Sequence, residues 1–260
     1  MTGRIPPAEQ VELEAYRRFF AAAPGAHTAE VAGAALLALP GIASTMLNRV
    51  SGLGLQEPAT DEQLDEIAAF FAPFDVEYAI AIAPQAQPAE LTGLLAERGF
   101  ASGYAWTKFM RAADEAAASI TDLRVELVGP ERGEDFALVV LEAYDLPSSG
   151  AALLAVAPEL EGYSCFVAYA DDEPAAAGAL LVIDETGWLG FGSTRPAFRR
   201  RGGQRALFSA RARRAVELGA TTLFTETGEL MPGRPGNSYR NILHAGFRPA
   251  YVRPNFLSPA

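Results

Sequence analysis

The stretch Pro196–Leu207 (PAFRRRGGQRAL) joins three consecutive arginines to two adjacent glycines, directly before a predicted helix. Such a loop presents backbone N–H groups at a helix N-terminus, where the helix dipole favours anions. Glycine also lets a phosphate approach the backbone closely, because it has no β-carbon. The stretch therefore predicts a pyrophosphate-binding loop. The arginines nearby are Arg199, Arg200, Arg201, Arg205, Arg211, Arg213 and Arg214.

The alternative interpretation of these arginines is a solvated basic face of a helix. Their placement between two predicted strands favours the phosphate loop. A Walker loop is excluded because no Gly-Lys-Ser/Thr follows, and the glycine spacing excludes a dinucleotide fingerprint. A nucleic-acid-binding module is a further hypothesis, which the acidic character of the remaining chain opposes.

The elements predicted around the loop alternate between strands and helices, which indicates an α/β (α+β) fold class. Before the loop, strands are predicted at Leu123–Val128, Ser164–Ala170, Ala176–Ile183 and Gly187–Thr194, with a helix at Glu134–Tyr144. After it, the helix has an apolar side formed by Phe208, Ala212, Ala215 and Val216. A strand, a helix and a strand follow.

The first half of the chain has a similar mixture of elements. Thr60 and Gln63 have the spacing of a capping box, which predicts the start of a helix with Leu64, Ile67, Ala68 and Phe71 inward. The other predicted elements are helices at Ala8–Ala23 and Gln87–Arg98 and strands at Ala43–Val50, Glu77–Ala83 and Tyr104–Met110.

Both halves end in the order strand, helix, Gly-Phe, strand, with the dipeptides Gly99-Phe100 and Gly246-Phe247. A duplicated fold explains this order, although helix-Gly-aromatic-strand is also a common way for a helix to end. The stretch Arg111–Ser119 has no periodic apolar face and is the best predicted linker. It divides the chain into domains 1–115 and 120–260.

Composition limits the partners of this protein. The chain has 260 residues, 50% of them hydrophobic, and a formal net charge of −11. That charge argues against non-specific binding to nucleic acid or to an anionic membrane, since both need a positive face.

The chain has one cysteine, Cys165, so no intramolecular disulfide and no thiolate metal cluster is expected; its strand-like context predicts an inert core thiol. The longest apolar stretch, Val31–Leu39, is too short to span a bilayer, and the start of the chain lacks the layout of a secretion signal. We expect a cytoplasmic protein.

The run PAFRRRGGQRAL resembles the acyl-CoA-binding segment of the GNAT superfamily, whose pattern is Arg/Gln-x-x-Gly-x-Gly/Ala. Arg199 matches the first position and Gly202 the fourth, whereas the sixth is Gln204, whose amide can itself donate to phosphate. The resemblance covers about the last 140 residues and includes the strand around Leu223–Glu226 and a helix from Asn237 to a Gly-Phe exit.

This resemblance implies two GNAT-like domains in tandem, each a mixed, mostly antiparallel sheet flanked by helices. The strand Leu189–Thr194 would splay from its neighbour and bind the pantetheine arm through its backbone. The first half looks like a second copy without a cofactor site, because Ser51–Pro58 has an acidic residue and no arginine. The implied cofactor-binding residues are Phe191, Gly192, Ser193, Thr194, Arg199, Arg200, Arg201, Gly202, Gly203, Gln204, Arg205 and Asn237.

The implied activity is an acyl-CoA-dependent N-acetyltransferase, in which an amine attacks the thioester of acetyl-CoA directly in a ternary complex. The implied partner is a small-molecule or amino-acid-like primary amine; no nucleic acid, membrane or metal is expected, and the protein would be a monomer or homodimer. The alternative is a non-catalytic acyl-CoA-binding sensor. Its motivation is Gln204, the degenerate first half of the chain, and Ile242, which stands where the family places a tyrosine acid.

Candidate catalytic groups lie on the strand and helix after the loop. Glu226 is the first choice as general base and Glu229 the second, with a carboxylate paired to nearby arginines as the alternative for Glu226. Tyr239, one turn before Ile242, is the candidate acid, ahead of His244. Other polar candidates are Asn237 and Asn241, which can contact the cofactor or cap the helix, and Tyr144 and Asp145, where the family places its acceptor loop.

Overall fold

The computed structural model describes residues 5–114, 120–231, 233 and 236–259. Eleven strands form one sheet in the order β1-β2-β3-β4-β11-β5-β10-β9-β8-β7-β6. The strands are β1 His27–Val31, β2 Ala34–Ala38, β3 Arg49–Ser51, β4 Ala79–Ala81, β5 Ala101–Ala112, β6 Arg124–Val128, β7 Tyr163–Ala170, β8 Glu173–Ile183, β9 Thr186–Thr194, β10 Thr222–Gly228 and β11 Arg248–Leu257.

Helices flank this sheet. They are α1 Pro7–Ala22, α2 Asp61–Phe71, α3 Leu91–Glu97, α4 Gly133–Tyr144, α5 Ala151–Ala155, α6 Gly203–Glu217 and α7 Asn237–His244. The predicted capping box starts α2: the Thr60 hydroxyl accepts from the Gln63 amide, and the Gln63 side chain accepts from the Thr60 amide. The local sequence thus specifies this helix start without help from the rest of the fold.

The sheet has an internal symmetry that relates the two halves of the chain. In the described part of the chain, neighbouring strands pair antiparallel except β3 with β4 and β9 with β10, which are parallel. The strand order is symmetric about the centre of the sheet. Outward from the centre, one side has β11, β4, β3, β2 and β1, and the corresponding strands on the other side are β5, β10, β9, β8 and β7. The chain therefore has two similar halves joined in a single, mostly antiparallel sheet.

The last strand of each half lies in the sheet of the other half. β5, from the first half, pairs with β10, whereas β11, from the second half, pairs with β4. These two strands also pair with each other in the centre. Each follows a Gly-Phe dipeptide, as the repeat predicted, and Gly99 and Gly246 have φ values of 84° and 82°. Both helices thus end in a left-handed glycine.

The core also crosses between the halves. Phe19 and Phe20 of α1 belong to one apolar cluster with Phe136 and Val140 of α4. A second cluster lies between β1–β4 and the helices α2 and α3. The first helix of the chain therefore packs on the sheet of the second half and contributes to its core.

Most predicted elements are confirmed, but the strand predicted at Ala43–Val50 is wrong for most of its length. Only Arg49–Ser51 forms a strand. The Asn48 side chain bonds the Leu39 amide at 2.7 Å and the Ile42 carbonyl at 2.8 Å, which holds this segment in turns. The hairpin β1–β2 was missed because its second strand is continuously apolar and does not alternate.

Three smaller predictions concern the linker, one apolar position and the cysteine. The predicted linker begins too early, since Arg111 and Ala112 still belong to β5, and residues 115–119 lie outside the described residues. Val216 is 43% exposed and not on the apolar side of α6. Cys165 is buried as predicted, and burial raises the pKa of its thiol.

Candidate active site

The loop of arginines and glycines enters α6 with its backbone amides free. Gly202 is the N-cap of α6 with a φ of 81°, and no side chain caps this helix end. Among the described residues, none accepts a hydrogen bond from the amides of Gly202, Gly203, Gln204 or Arg205; the first amide bonded here is that of Ala206, to the Gly202 carbonyl at 3.0 Å. The helix start therefore offers N–H donors and its positive dipole end to an anion.

The arginines of the loop divide into two groups. Arg199, Arg200 and Arg205 are exposed and border the large cavity beside α6. Arg201 does not line this cavity, because its guanidinium pairs with Asp122. Three of the four predicted loop arginines are thus placed to contact a ligand.

Gln204, which departs from the family pattern, joins α6 to β9. Its amide nitrogen donates to the Ser193 carbonyl at 2.7 Å and to the Thr194 hydroxyl at 3.0 Å. Both N–H donors of the amide are therefore used inside the protein. The expected direct bond from this amide to phosphate does not fit, and Gln204 instead positions the strand against the loop.

The strand β9 has a bulge where it borders the cavity. Phe191 has a φ of 52°, and the register between β8 and β9 shifts between Ala177 and Ala179. Gly192, next to Phe191, is exposed to the cavity. A bulge redirects the backbone N–H and C=O groups that regular pairing would use.

The strands β9 and β10 separate beyond the start of their pairing. Their register ends with Trp188 opposite Phe224. One residue further, the hydroxyl of Thr225 donates to the Leu189 carbonyl at 2.9 Å, and the Ser193 hydroxyl is buried without a partner among the described residues. The splayed strand implied by the family resemblance is therefore present.

A cavity of about 910 Å³ opens between the separated strands. Residues of the loop before α6, of the bulge in β9 and of α7 line this cavity. The first half of the chain contributes Tyr16, Met46, Leu47, Arg49 and Trp106. The volume is within the range of small-molecule sites, and both halves form its wall.

Arg211 of α6 is a buried cation behind the bulge. Its side chain is 1% exposed and donates to the carbonyls of Leu207 at 3.1 Å and Gly190 at 3.2 Å. Among the described residues no carboxylate forms an ion pair with it, and its Nη2 has no partner. Burial lowers the pKa of Arg211 to about 10.

Glycines make room for this guanidinium at the bulge. A β-carbon on Gly178 would lie 2.8 Å from the Arg211 Cζ, and one on Gly192 would lie 3.7 Å from its Nη2. Arg211 therefore places positive charge directly beside the exposed backbone of β9.

Glu226, the predicted base, lies in a buried cluster of charges at the end of the cavity. Its carboxylate is 2.7 Å from Arg253 and 3.1 Å from Lys108. Arg253 also contacts Glu9 at 2.9 Å and Glu12 at 2.6 Å, and Lys108 pairs with Glu12. The carboxylate is thus both next to the cavity and paired, as its alternative interpretation predicted.

These charges shift the titration of the acidic side chains. Burial alone would raise the pKa of Glu12, but the charges of Arg253, Lys108 and Arg49 outweigh it and lower the pKa to about 2. The pKa of Glu9 is lowered in the same way, with burial opposing and Arg253 dominating the attraction.

We expect the protein to lose stability steeply between about pH 4.5 and pH 2. Both carboxyls have folded-state pKa values below their unfolded values, so their contribution is present above the unfolded pKa and disappears as pH falls through the folded one. Urea unfolding across this range measures the effect. Glu12→Gln should flatten the dependence and Glu66→Gln, on the exposed side of α2, should not; equal slopes would contradict the assignment.

The residues of α7 that line the cavity do not include Tyr239, the candidate acid. Asn237, Asn241 and His244 line the cavity, as does Ile242, whereas Tyr239 does not. The Tyr239 ring packs edge-on against Phe109 with centroids 4.8 Å apart. Asn237 is not the N-cap, which is Gly236.

The remaining candidates differ in whether they line the cavity. Tyr144 lines the cavity, and its hydroxyl donates to the Gly192 carbonyl at 3.4 Å. Asp145 ends α4 in a left-handed conformation and is not part of the lining. Glu229 is exposed and also lies outside the lining, which leaves Glu226 as the carboxylate nearest the bulge among these candidates.

Sequence reasoning missed the buried cations, of which Arg49 and Arg211 line the cavity and Lys108 and Arg253 pair with Glu226. Lys108 is the sole lysine of the chain and stands in the apolar strand YAWTKFM. A lysine in such a strand indicates a buried charge, so this residue could have been found from the sequence. Arg211 was counted as solvent- or phosphate-facing. Arg49 and Arg253 carried no local signal, since their partners come from distant elements.

Comparisons with known proteins agree with this geometry. Residues 146–228, from before α5 to the end of β10, match the family model described as "Acetyltransferase (GNAT) domain". No curated protein sequence matches the chain. In the described part of the chain, no helix is long and apolar enough to cross a membrane.

Solved structures resemble the chain over its whole length. A GCN5-related N-acetyltransferase from Kribbella flavida is 17% identical with a TM-score of 0.70, covering 100% of this chain and 97% of that one. An acetyltransferase of the GNAT family from Colwellia psychrerythraea is 15% identical with a TM-score of 0.56, covering 100% and 99%.

A third structure is a tandem GNAT protein from the clavulanic acid biosynthesis pathway, 14% identical with a TM-score of 0.63, covering 92% of this chain and 86% of that one. At these identities the likeness concerns the fold. The chain thus has the fold of these GNAT structures, including the tandem one, and residues 146–228 of its second half match the GNAT acetyltransferase domain model.

Proposed function

We propose that the protein is an N-acetyltransferase that transfers the acetyl group of acetyl-CoA to a primary amine of a small-molecule or amino-acid-like acceptor. The attack is direct, with both reactants bound in a ternary complex. The observation that supports this most strongly is the free helix start of α6 beside the bulged and splayed β9, both opening into one cavity.

The residues present fit acetyl-CoA as a co-substrate. The amides of Gly202 to Arg205 and the side chains of Arg199, Arg200 and Arg205 would hold the pyrophosphate. The backbone of Leu189–Thr194 and the unpartnered Ser193 hydroxyl would hold the pantetheine arm. An unbonded buried hydroxyl of this kind is costly unless a ligand satisfies it.

Acetyl-CoA supplies a thioester carbonyl carbon, to which the amine nitrogen bonds while the carbon–sulfur bond breaks and sulfur leaves with the electron pair. Glu226 would receive the proton that the amine loses, directly or through water. Arg211 is a positioning residue, because it holds the Gly190 carbonyl and with it the bulge. Its charge also favours negative charge developing beside Gly192.

The thiolate can leave without a tyrosine acid. Ile242 occupies the family's acid position, and a thiol with a pKa of about 8.5 leaves as an anion near neutral pH. A positive charge behind the bulge makes that departure easier. Tyr239 as an acid remains a prediction that requires its ring to leave Phe109.

The first half, residues 1–115, would be a domain without a cofactor site, and residues 120–260 the catalytic domain. The capping box of Thr60 already uses the Thr60 and Gln63 amides at the start of α2, whereas no side chain caps the start of α6. The loop before α2 is also filled: a β-carbon on Gly54 would lie 2.5 Å from the Gln87 carbonyl oxygen.

The formal net charge of −11 supports a small-molecule acceptor and not nucleic acid. A cytoplasmic monomer or homodimer fits an enzyme that consumes acetyl-CoA.

Reversing two charges of the loop tests the proposal. Arg199→Glu with Arg200→Glu should weaken acetyl-CoA binding by about 100-fold or more, because two charge-assisted contacts become repulsive. Calorimetry measures the affinity, and release of coenzyme A thiol with a panel of amines measures turnover. Arg213→Glu is the matched control on the exposed side of α6. Equal affinities in the two variants would contradict the loop assignment.

A non-catalytic acyl-CoA sensor is the second candidate function, and the isoleucine at position 242 favours it. Tight acetyl-CoA binding without thiol release from any amine would establish this alternative.

A further inference from the structure

The end of the cavity formed by the first half contains buried hydrogen-bond donors without partners. Arg49 of β3 is 2% exposed and lines the cavity. Its Nε donates to the Ser51 hydroxyl at 3.1 Å, whereas its Nη2 has no partner among the described residues. An arginine carries five N–H donors in a planar fork that matches a carboxylate.

Trp106 of β5 supplies a second unused donor in the same wall. Its indole Nε1–H is buried without a partner among the described residues, and the side chain lines the cavity. An indole nitrogen donates only, so an acceptor atom is required to satisfy it. Arg49 and Trp106 thus bring two unused donors to the wall of one cavity from different strands, and a ligand group with two acceptor oxygens would satisfy both.

The orientation of Arg49 is set by its surroundings. Its guanidinium carbon lies 5.0 Å from the centroid of the Tyr16 ring, which also lines the cavity. In the described part of the chain no carboxylate forms an ion pair with it, although its charge acts on Glu12 at longer range. Arg49 is therefore held in place while its Nη2 donors remain without a partner among the described residues.

The local charge balance favours an acceptor without net charge. Three buried carboxylates, Glu9, Glu12 and Glu226, meet two paired cations, Lys108 and Arg253. Arg49 brings the group to neutrality. A zwitterion, with an ammonium near Glu226 and a carboxylate near Arg49, adds no uncompensated charge to this buried site.

We propose that Arg49 and Trp106 bind the carboxylate of the acceptor, which makes the acceptor class an amine that also bears a carboxylate, such as an amino acid. This inference rests on the proposed acetyl transfer, because it assigns the acceptor end of that same site. It gives the first half of the chain a role in recognising the acceptor.

Binding to the complex with coenzyme A tests the inference without turnover. Each standard amino acid and its carboxamide is titrated by calorimetry into the full-length protein saturated with coenzyme A. The carboxamide keeps the amine and the shape but lacks the charge. We expect at least one amino acid to bind about tenfold or more tightly than its own carboxamide.

Two variants separate recognition from a structural role. Arg49→Gln should remove the preference for the acid and leave carboxamide binding within about twofold, whereas a general loss of structure would weaken both. Trp106→Phe removes only the indole donor and should weaken acid binding by about threefold to tenfold. If the Arg49→Gln variant does not fold, the Trp106→Phe variant still tests the carboxylate assignment.

The outcomes distinguish this inference from the proposed function. Equal binding of acids and carboxamides, or no binding of any acid, overturns the carboxylate assignment whatever the turnover. Acid binding that depends on Arg49 and Trp106, together with no thiol release from acetyl-CoA, supports the site and overturns acetyl transfer. Turnover of carboxamides and acids with equal KM overturns the assignment and leaves acetyl transfer standing.

Discussion

Arg211→Met is expected to lower kcat for acetyl transfer by about 100-fold, while acetyl-CoA affinity stays within about threefold. The guanidinium bonds the Gly190 carbonyl and lies beside the bulge, whereas the pyrophosphate donors are at the start of α6. Methionine keeps the buried volume and removes the charge. Single-turnover kinetics and calorimetry measure the two quantities separately.

The stability of this variant should change little, because two effects oppose each other. The carbonyls of Leu207 and Gly190 lose a donor, but the cost of burying an unpaired charge disappears. Arg211→Lys keeps the charge and should retain more activity than methionine. Arg213→Met, on the exposed side of the same helix, should leave kcat unchanged. A methionine variant with full kcat would remove Arg211 from the mechanism.

Lys108→Met should destabilise the protein by about 3–5 kcal/mol, since removing one partner leaves Glu12 and Glu226 with one cation fewer in a buried site. For a chain of this size the melting temperature should fall by roughly 10 °C. Thermal unfolding followed by circular dichroism measures the change.

The double variant Lys108→Met, Glu12→Leu tests whether charge imbalance is the cause. It removes one charge of each sign and should recover most of the lost stability. Arg98→Met is a matched surface control, because Arg98 pairs with Asp61 and Asp65 at exposed positions and should cost less than about 1 kcal/mol. A double variant as unstable as the single one would show that packing and not charge is the cause.

Features set by neighbouring residues could be predicted from the sequence. The capping box at Thr60, the glycine exits of α3 and α7 and the free loop before α6 each depend on a few consecutive residues. The same holds for the glycine-rich strand β9, whose bulge borders the cavity. These features depend on neighbouring residues, so the local sequence is sufficient to predict them.

Features that depend on distant pairing could not be predicted. The partners of Glu226 could not be assigned, because Lys108 and Arg253 lie on strands β5 and β11. Arg211 looked solvent-facing because nothing in its own helix shows that Gly178 leaves a gap in the sheet. In both cases the deciding neighbour is set by strand order, which single-sequence patterns do not contain.

The exchange of β5 and β11 constrains the order in which the chain assembles. The two central strands are separated by more than a hundred residues, and each half obtains its innermost strand from the other. On a ribosome, the first half therefore emerges with the edge of β4 unpaired until the carboxy-terminal strand has been synthesised. Completion of the sheet therefore waits for β11, and contacts of such long sequence separation form slowly.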